Sequence, residues 1–173
     1  LDPMMRSELD LSFSKIERLI MDYIAASNDR VVVHQALKHL IVSGNALIFM
    51  AKDGLKHYPL NRYVVERDGN GNVIEIITKE MVSRKVLGLT PPPSEEPNAN
   101  GDYGVDGDDA EVYTCVKLDE SSGNWRWHQE VDDMILAGSQ STAPKNASPW
   151  LVLRFNTVDG EDYGRGRVEE FLG

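Results

Sequence analysis

The chain has 173 residues, of which 41% are hydrophobic, 27% charged and 8% aromatic, and this composition excludes a disordered tail. One domain of this length can bury a hydrophobic core without disulfide bonds. An internal disulfide framework is excluded, because the chain has a single cysteine. The net charge of -10 argues against a general nucleic-acid-binding protein, and no apolar run approaches the roughly 20 residues of a membrane span.

Two amphipathic helices are predicted within residues 1–44. After Ser7, apolar residues recur at steps of three and four positions, with charged residues between them. These apolar residues are Leu9, Phe13, Ile16, Ile20, Tyr23 and Ile24. A second helix is expected from Asp29, as its N-cap, to Gly44, a residue suited to the left-handed conformation just past a helix end. We expect the two helices to form a hairpin.

Short strands are predicted within residues 45–88. Residues 46–50 form a continuous apolar run, which is typical of a buried strand. Two further strands, at 63–67 and 72–78, flank Asp-Gly and Asn-Gly pairs that favour a hairpin turn. The stretch 79–87 is expected to add a short helix.

Residues 89–109 differ in composition from the rest of the chain. They contain four prolines, three glycines, six carboxylates and neither Lys nor Arg. Such a segment buries little and carries -6 of the net charge of -10. We therefore expect an acidic, mobile insert over residues 89–110.

The rest of the chain predicts an antiparallel meander followed by the start of a further helix. Strands are expected at 112–118, 125–128, 134–136 and 150–155, with a polar loop at 159–164 and a helix start at 165–172. Because helices precede strands without βαβ alternation, the predicted class is α+β. In this fold the N-terminal helical hairpin packs on a mainly antiparallel β-sheet. The organisation is one domain with segments 1–44, 45–88, 89–110, 111–158 and 159–173.

No motif for a cofactor or a metal emerges. Cys115 lies in mid-strand and is interpreted as a half-buried structural thiol. His34 and His39 are five residues apart, whereas a metal pair on a helix needs a spacing of four. Residues 68–72 resemble the start of a calcium loop, but the sixth position is Val73 instead of glycine, so a hairpin turn is favoured.

Several acidic residues are candidates for cation binding or acid–base chemistry. A hard cation is an alternative to a solvated charge run at Asp102, Asp106, Asp108 and Asp109. The adjacent pairs Asp132–Asp133 and Glu161–Asp162 are candidate carboxylate pairs. Because neighbouring residues of an extended chain point to opposite sides, we interpret these pairs as surface charge.

Two features are candidates for contact with phosphates or bases. The run Gly164-Arg165-Gly166-Arg167 opens a predicted helix, where free N–H groups and guanidinium groups can hold a phosphate. It lacks the spacing of a P-loop or a dinucleotide fingerprint. Trp125 and Trp127 share one face of a strand, where core packing is favoured over stacking on bases.

Three stretches carry a resemblance to a known family. They are ALKHLIVSGNAL at 36–47, LNRYVVERD at 60–68, and RFNTVDGEDYGR at 154–165, which is followed by VEEFLG at 168–173. In this order and spacing they resemble the head-to-tail connector, or portal, proteins of short-tailed double-stranded DNA bacteriophages. None of the stretches is a catalytic motif. The insert at 89–109 departs from the pattern.

The resemblance implies a structural subunit of a dodecameric ring at one capsid vertex. Through this ring DNA is packaged and ejected, and the tail attaches to it. The implied partners are copies of the same subunit, terminase, capsid or scaffold proteins and tail proteins, with double-stranded DNA passing without tight binding. No enzymatic activity, cofactor or membrane contact is implied. The subunit would assemble in the host bacterial cytoplasm and reside at the portal vertex of the virion.

The chain is similar to the outer, wing-type body of such a subunit. We expect the stem, clip and crown to lie mostly beyond Gly173. Arg165 and Arg167, placed where the next helix begins, are candidate contacts to a neighbouring subunit.

Two other functions stay open at this point. One is a small acidic hydrolase whose carboxylates converge only in the fold. A cleft joining Asp132, Asp133 or Glu161 to a histidine would favour it. The other is a nucleic-acid-binding module built from Trp125, Trp127, Arg126 and Arg167, which would need a basic face.

Overall fold

A computed structural model of the chain describes residues 2–89, 93–97, 103–105 and 109–172. Helices come first and antiparallel sheets follow, which confirms the predicted α+β class. The helices are α1 Pro3–Ala26, α2 Asp29–Ser43 and α3 Arg167–Leu172. The strands are β1 Asn45–Ala51, β2 Gly54–Tyr58, β3 Tyr63–Arg67, β4 Val73–Ser83, β5 Pro93–Pro97, β6 Tyr103–Val105, β7 Asp109–Asp119, β8 Asn124–Val131, β9 Met134–Ile135, β10 Ser141–Pro144 and β11 Trp150–Arg154. Within the described ranges, no helix combines the length and the apolar character that crossing a membrane requires.

The second helix ends where the sequence predicts, but its N-cap lies one residue earlier than predicted. Its N-cap is Asn28, and the carboxylate of Asp29 instead accepts a hydrogen bond of 2.8 Å from the backbone N–H of Leu55 in β2. The helix ends at Gly44, whose φ of 73° is left-handed. The side chain of Asp29 therefore ties α2 to the sheet.

The first helix starts earlier than expected, at Pro3, after an N-cap at Asp2. In the part of the chain that the structure describes, no residue of α1 is buried. The helical hairpin packs on the sheet through α2, where Ala36 contacts Ala46 and Ile48. The predicted packing does not extend to α1.

Two antiparallel sheets enclose the main core. The smaller sheet has the strand order β11-β1-β2, and the larger has the order β10-β8-β7-β4-β3, with β9 paired to β8. Side chains from both sheets form one cluster of buried residues: Leu47, Tyr58, Tyr63, Val65, Ile76, Val116, Trp125 and Trp150. The layers are therefore α2, the small sheet and the large sheet.

The helix predicted over residues 79–87 is not formed. Residues up to Ser83 continue β4, and the pairs from Lys79↔Tyr113 to Ser83↔Asp109 join it to β7. The segment that follows is a turn, which contains Gly88. Pairing with a distant strand thus overrides the local helical pattern.

Outside the acidic insert, two of the described strands have no counterpart in the sequence prediction, namely β2 and β10. Both are edge strands of their sheets, and both are short. The remaining predicted strands are present with shifted ends.

Part of the acidic insert contains regular structure. Strands β5 and β6 pair antiparallel with each other, so the expected loop is not irregular throughout. The candidate cation ligands Asp102, Asp106 and Asp108 lie outside the described residues.

Candidate functional site

The segment 154–166 passes directly over the turn that follows α2, and we call this contact the Gly44 junction. A methyl group added to Gly44 would lie 2.2 Å from the carbonyl carbon of Arg165, and one added to Gly166 would lie 2.1 Å from the carbonyl oxygen of Val42. Both distances are far below van der Waals contact. The glycines at these positions therefore allow two backbone segments to touch.

Asn45 fixes this contact with its side-chain amide. Its Nδ2 donates to the carbonyl oxygens of Gly164 and Ser43, each at 2.7 Å, and its Oδ1 accepts from the backbone N–H of Gly164 at 2.7 Å. The residue is only 3% exposed. Because both the oxygen and the nitrogen of this buried amide are hydrogen-bonded, Asn45 specifically joins the turn after α2 to the segment at Gly164.

Backbone hydrogen bonds extend the junction. The N–H of Phe155 donates to the carbonyl oxygen of Gly44 at 2.9 Å, and the N–H of Arg165 donates to that of Asn156 at 2.9 Å. The N–H groups of Gly164 and Arg165 are thus used within the chain. Two backbone donors of this run are therefore already used, and its two glycines serve close packing, which argues against the phosphate-binding interpretation.

The polar loop is tied to the end of β3 as well. The backbone N–H and the Nε of Arg67 donate to the carboxylate and the carbonyl oxygen of Asp162, each at 2.9 Å. The hydroxyl oxygen of Tyr163 accepts from the backbone N–H of Val65 at 3.2 Å. Burial and the neighbouring Arg154 lower the pKa of Arg67, and Asp162 acts in the opposite direction.

The three stretches that carry the sequence resemblance therefore meet in space. Gly44 and Asn45 belong to the first, Arg67 to the second, and Asp162 and Gly164 to the third. Their contacts place the start of α3 against the end of α2. The junction positions structural elements, and its chemistry is that of a packing site.

Arg165 and Arg167 are both partly exposed, at 52% and 58% of their side chains. Arg165 pairs with Glu161 at 3.0 Å, and Arg167 pairs with Glu170 at 3.3 Å. The guanidinium of Arg167 also lies over the ring of Phe171, 4.9 Å from its centroid. Each cation thus has a partner within the chain, in an exposed ion pair of small energetic weight.

The candidate carboxylate pair Asp132–Asp133 forms the turn between β8 and β9. Both residues have positive φ, 51° and 60°, as a tight hairpin turn of two residues requires. Asp132 accepts two hydrogen bonds from Arg84, at 2.8 and 3.0 Å. Among the described residues, the depressions lined by Asp132 and by Glu161 contain no histidine.

The calcium-like segment is a hairpin turn, as predicted. The carboxylate of Asp68 accepts from the backbone N–H groups of Asn70 and Asn72 and from the side-chain amide of Asn72. These hydrogen bonds lower the pKa of Asp68. The carboxylate therefore stabilises the turn from within.

The tryptophans confirm the core interpretation. Trp125 is buried, and Trp127 makes an edge contact with Trp150 at a centroid distance of 6.4 Å. Arg126 pairs with Asp119 at 2.9 Å. The two tryptophans proposed to stack on bases therefore pack in the core, and Arg126 is engaged in a surface ion pair.

Cys115 is half-buried, and burial followed by the carboxylates of Glu130 and Glu75 raises the pKa of its thiol. Sequence reasoning missed its neighbours. The ligand atoms of Cys115, His128 and Glu130 all lie within 4.8 Å of one another. This cluster can be predicted from the register of β7 and β8, because that register pairs Cys115 with His128.

The apolar side of α1 forms an exposed stripe. It comprises Leu9, Phe13, Ile16, Ile20 and Tyr23, spaced by four, three, four and three residues, and each is more than two-fifths exposed. This spacing matches the seam through which one helix packs on another. We call these residues the α1 stripe.

Comparison with known proteins gives a consistent result. The family model described as "Bacteriophage head to tail connecting protein" matches residues 2–173. The chain is 38% identical over 179 residues to the portal protein of Enterobacteria phage T3, and 37% identical over 180 residues to that of Escherichia phage T7. In each case 99% of the chain and 33% of the relative are covered. The portal protein of Pseudomonas phage phiKMV is 27% identical over 180 residues, with 96% of the chain and 33% of the relative covered. The chain thus spans about a third of the length of these curated relatives.

Proposed function

Because the chain belongs to the bacteriophage head to tail connecting proteins, we propose that it forms the wing-type body of a portal subunit. The complete subunit joins copies of itself into a dodecameric ring at one vertex of the capsid. The ring serves as the channel for DNA packaging and ejection and as the attachment point of the tail. The observation that carries this proposal is the match along nearly the whole chain to relatives called portal proteins.

The α1 stripe supports a place in an assembly. A helix with five large apolar side chains exposed along one side gains stability when another surface covers that side. We propose that this other surface belongs to a neighbouring copy of the subunit in the ring. We therefore place the α1 stripe at the contact between neighbouring subunits.

Arg165 and Arg167 are further proposed contacts. They lie beside the Gly44 junction, and both are more than half exposed. An arginine in an exposed intramolecular pair can exchange its partner for a carboxylate of a neighbouring subunit at little cost. The ion pairs that Arg165 and Arg167 form within the chain therefore do not prevent them from contacting a neighbouring subunit.

The electrostatics support a channel component that does not hold DNA. The net charge of -10 repels phosphates, and DNA must slide through a packaging channel. Arg126, between the two tryptophans in the sequence, pairs with Asp119, and Arg167 pairs with Glu170. Weak contact with DNA is what such a role requires.

A structural role without catalysis fits the placement of the acidic residues. Asp132 accepts a hydrogen bond from Arg84, and Asp162 accepts one from the backbone N–H of Arg67 at the end of β3. In this proposal the chemical work of packaging belongs to terminase, and the subunit reaches the portal vertex after assembly in the host cytoplasm. Capsid or scaffold proteins and tail proteins are its other partners.

Loss of the protein from the phage that encodes it tests this role. We expect such a phage to make heads that contain no packaged DNA and carry no tails, and a supplied copy of the gene to restore both. DNA-filled, tailed particles formed without the protein would contradict the proposal.

A further inference from the structure

The exposed face of the large sheet carries a cluster of three different metal-ligand types. Cys115 in β7 and His128 in β8 are cross-strand partners, and Glu130 lies two residues further along β8 on the same face. Their sulfur, nitrogen and oxygen atoms lie within 4.8 Å of one another. Nε2 of His128 is 2.7 Å from Oε1 of Glu130.

These separations are close to those of a tetrahedral zinc site. Bonds of about 2.0–2.3 Å to sulfur, nitrogen and oxygen put neighbouring ligand atoms roughly 3.5 Å apart. The observed separations, 2.7 Å between His128 and Glu130 and at most 4.8 Å within the cluster, lie on either side of that spacing, and all three side chains project from the β7–β8 hairpin. The β7–β8 pairing holds their backbones in place without the metal.

The surroundings also favour a cation. Glu130 and His128 are about one-third exposed, at 37% and 32% of their side chains, so an ion can enter from solvent. The neighbouring cations already have carboxylate partners: Lys117 pairs with Glu75, and Lys79 with Glu111. Because these lysines are already neutralised, they would oppose a cation in the cluster less than unpaired lysines would.

We propose that Cys115, His128 and Glu130 bind one Zn²⁺ ion or a similar late first-row divalent cation. The thiolate and the imidazole select such metals over Mg²⁺ and Ca²⁺, which prefer oxygen ligands. On binding, the Cys115 thiol releases its proton to solvent, and thiolate and carboxylate together balance the charge of the ion. Three protein ligands leave one coordination position for water on the exposed side.

The ion would cross-link β7 to β8. Binding to the folded state stabilises that state by mass action, because the unfolded chain lacks the preformed cluster. The proposal is independent of the portal role, since it concerns one face of one sheet.

Titration of the reduced chain with Co²⁺, a coloured substitute for Zn²⁺, tests the proposal. We expect one Co²⁺ per chain, with a sulfur-to-cobalt charge-transfer band in the near ultraviolet and displacement by Zn²⁺. Cys115→Ser should abolish the band. His128→Gln and Glu130→Gln should each weaken binding at least ~10-fold, because removing even an outer partner of a ligand costs about 10- to 100-fold.

His34→Gln is the matched control, since His34 is an exposed histidine on α2 outside the cluster. It should bind Co²⁺ like the wild type. Circular dichroism of every variant separates loss of the site from loss of the fold. A wild-type chain without the band, or a His128→Gln variant that is folded and binds equally well, would overturn the proposal.

Discussion

Asn45 and Gly164, which are 119 residues apart in the sequence, exchange two hydrogen bonds of 2.7 Å. One uses the amide nitrogen of Asn45 and the other its amide oxygen. The pair thus reproduces, with one side chain, the reciprocal pattern of a strand ladder. It locks the segment before α3 onto the turn after α2.

Replacement of Asn45 by Ala should lower the free energy of unfolding by about 2–3 kcal/mol, since it leaves buried backbone groups of Gly164 without partners. Urea denaturation of both proteins measures this loss. Asn124→Ala, at an exposed position, is the control and should change stability by less than about 0.5 kcal/mol. Equal losses in the two variants would show that the Asn45–Gly164 pair contributes nothing specific.

A second test separates backbone strain from close approach. Gly44 and Gly160 have similar positive φ, 73° and 79°, but a methyl group at Gly160 meets nothing within 4 Å. Both Gly→Ala variants are strained by roughly 1–2 kcal/mol. Gly44→Ala should lose about 1–3 kcal/mol more, because overpacking against Arg165 is added. Thermal unfolding that finds the two variants equal would contradict the close contact.

Asp119 is expected to titrate well below an ordinary aspartate. The hydroxyl groups of Ser121 and Ser122 donate to its carboxylate and, with Arg126 nearby, lower its pKa from 3.8 to about 2. The carboxyl carbon resonance in an NMR titration measures this value. Ser121→Ala should move the pKa back towards 3.8.

The same shift has a defined effect on stability. Since the pKa is lower in the folded state, the stabilising contribution is complete above the unfolded value of about 3.8 and is lost as the pH falls through about 2. Asp119→Asn should therefore have a smaller loss of stability over this interval than the wild type. Parallel pH profiles of the two proteins would be inconsistent with the assigned hydrogen bonds.

The α1 stripe should matter for assembly and not for the folding of the subunit. The double variant Phe13→Ser/Ile20→Ser changes exposed residues, so the chain should keep its unfolding midpoint within a few degrees. In the full-length protein we expect it to reduce ring formation at a given concentration, as measured by mass photometry.

Arg18→Ser/Asp22→Ser provides the matched control on the opposite side of α1. It carries the same two helix-weakening serines but leaves the apolar stripe intact. Rings should form as in the wild type. Equal assembly of both double variants would remove α1 from the subunit contact.

Much of the fold follows from local signals in the sequence. The Asp68–Gly71 turn and the Gly44 helix end are set by residues that tolerate a few specific backbone conformations, and both were predicted. The strand over residues 79–83 was missed because its stability comes from pairing with β7, far along the chain. Periodicity reported the amphipathic character of α1 but not whether this chain covers its apolar side.

The candidate sites depend on contacts between residues that are far apart in the sequence, and such contacts are harder to predict from one sequence. The close approach of Gly44 and Gly166 joins segments more than a hundred residues apart, so local glycine patterns suggested a phosphate loop instead. The Cys115–His128 pair was within reach, since a hairpin that closes between Asp119 and Asn124 sets these residues opposite each other. Counting the register back from the predicted turn finds the cluster.

Electron micrographs of the purified full-length protein show whether this chain is part of a portal ring subunit. We expect closed rings with a central hole, with twelve subunits determined by rotational analysis of class averages. The same preparation should give one mass species at twelve times the subunit mass. A protein that stays monomeric, or forms open and irregular aggregates at every concentration and salt condition, is not a portal ring subunit.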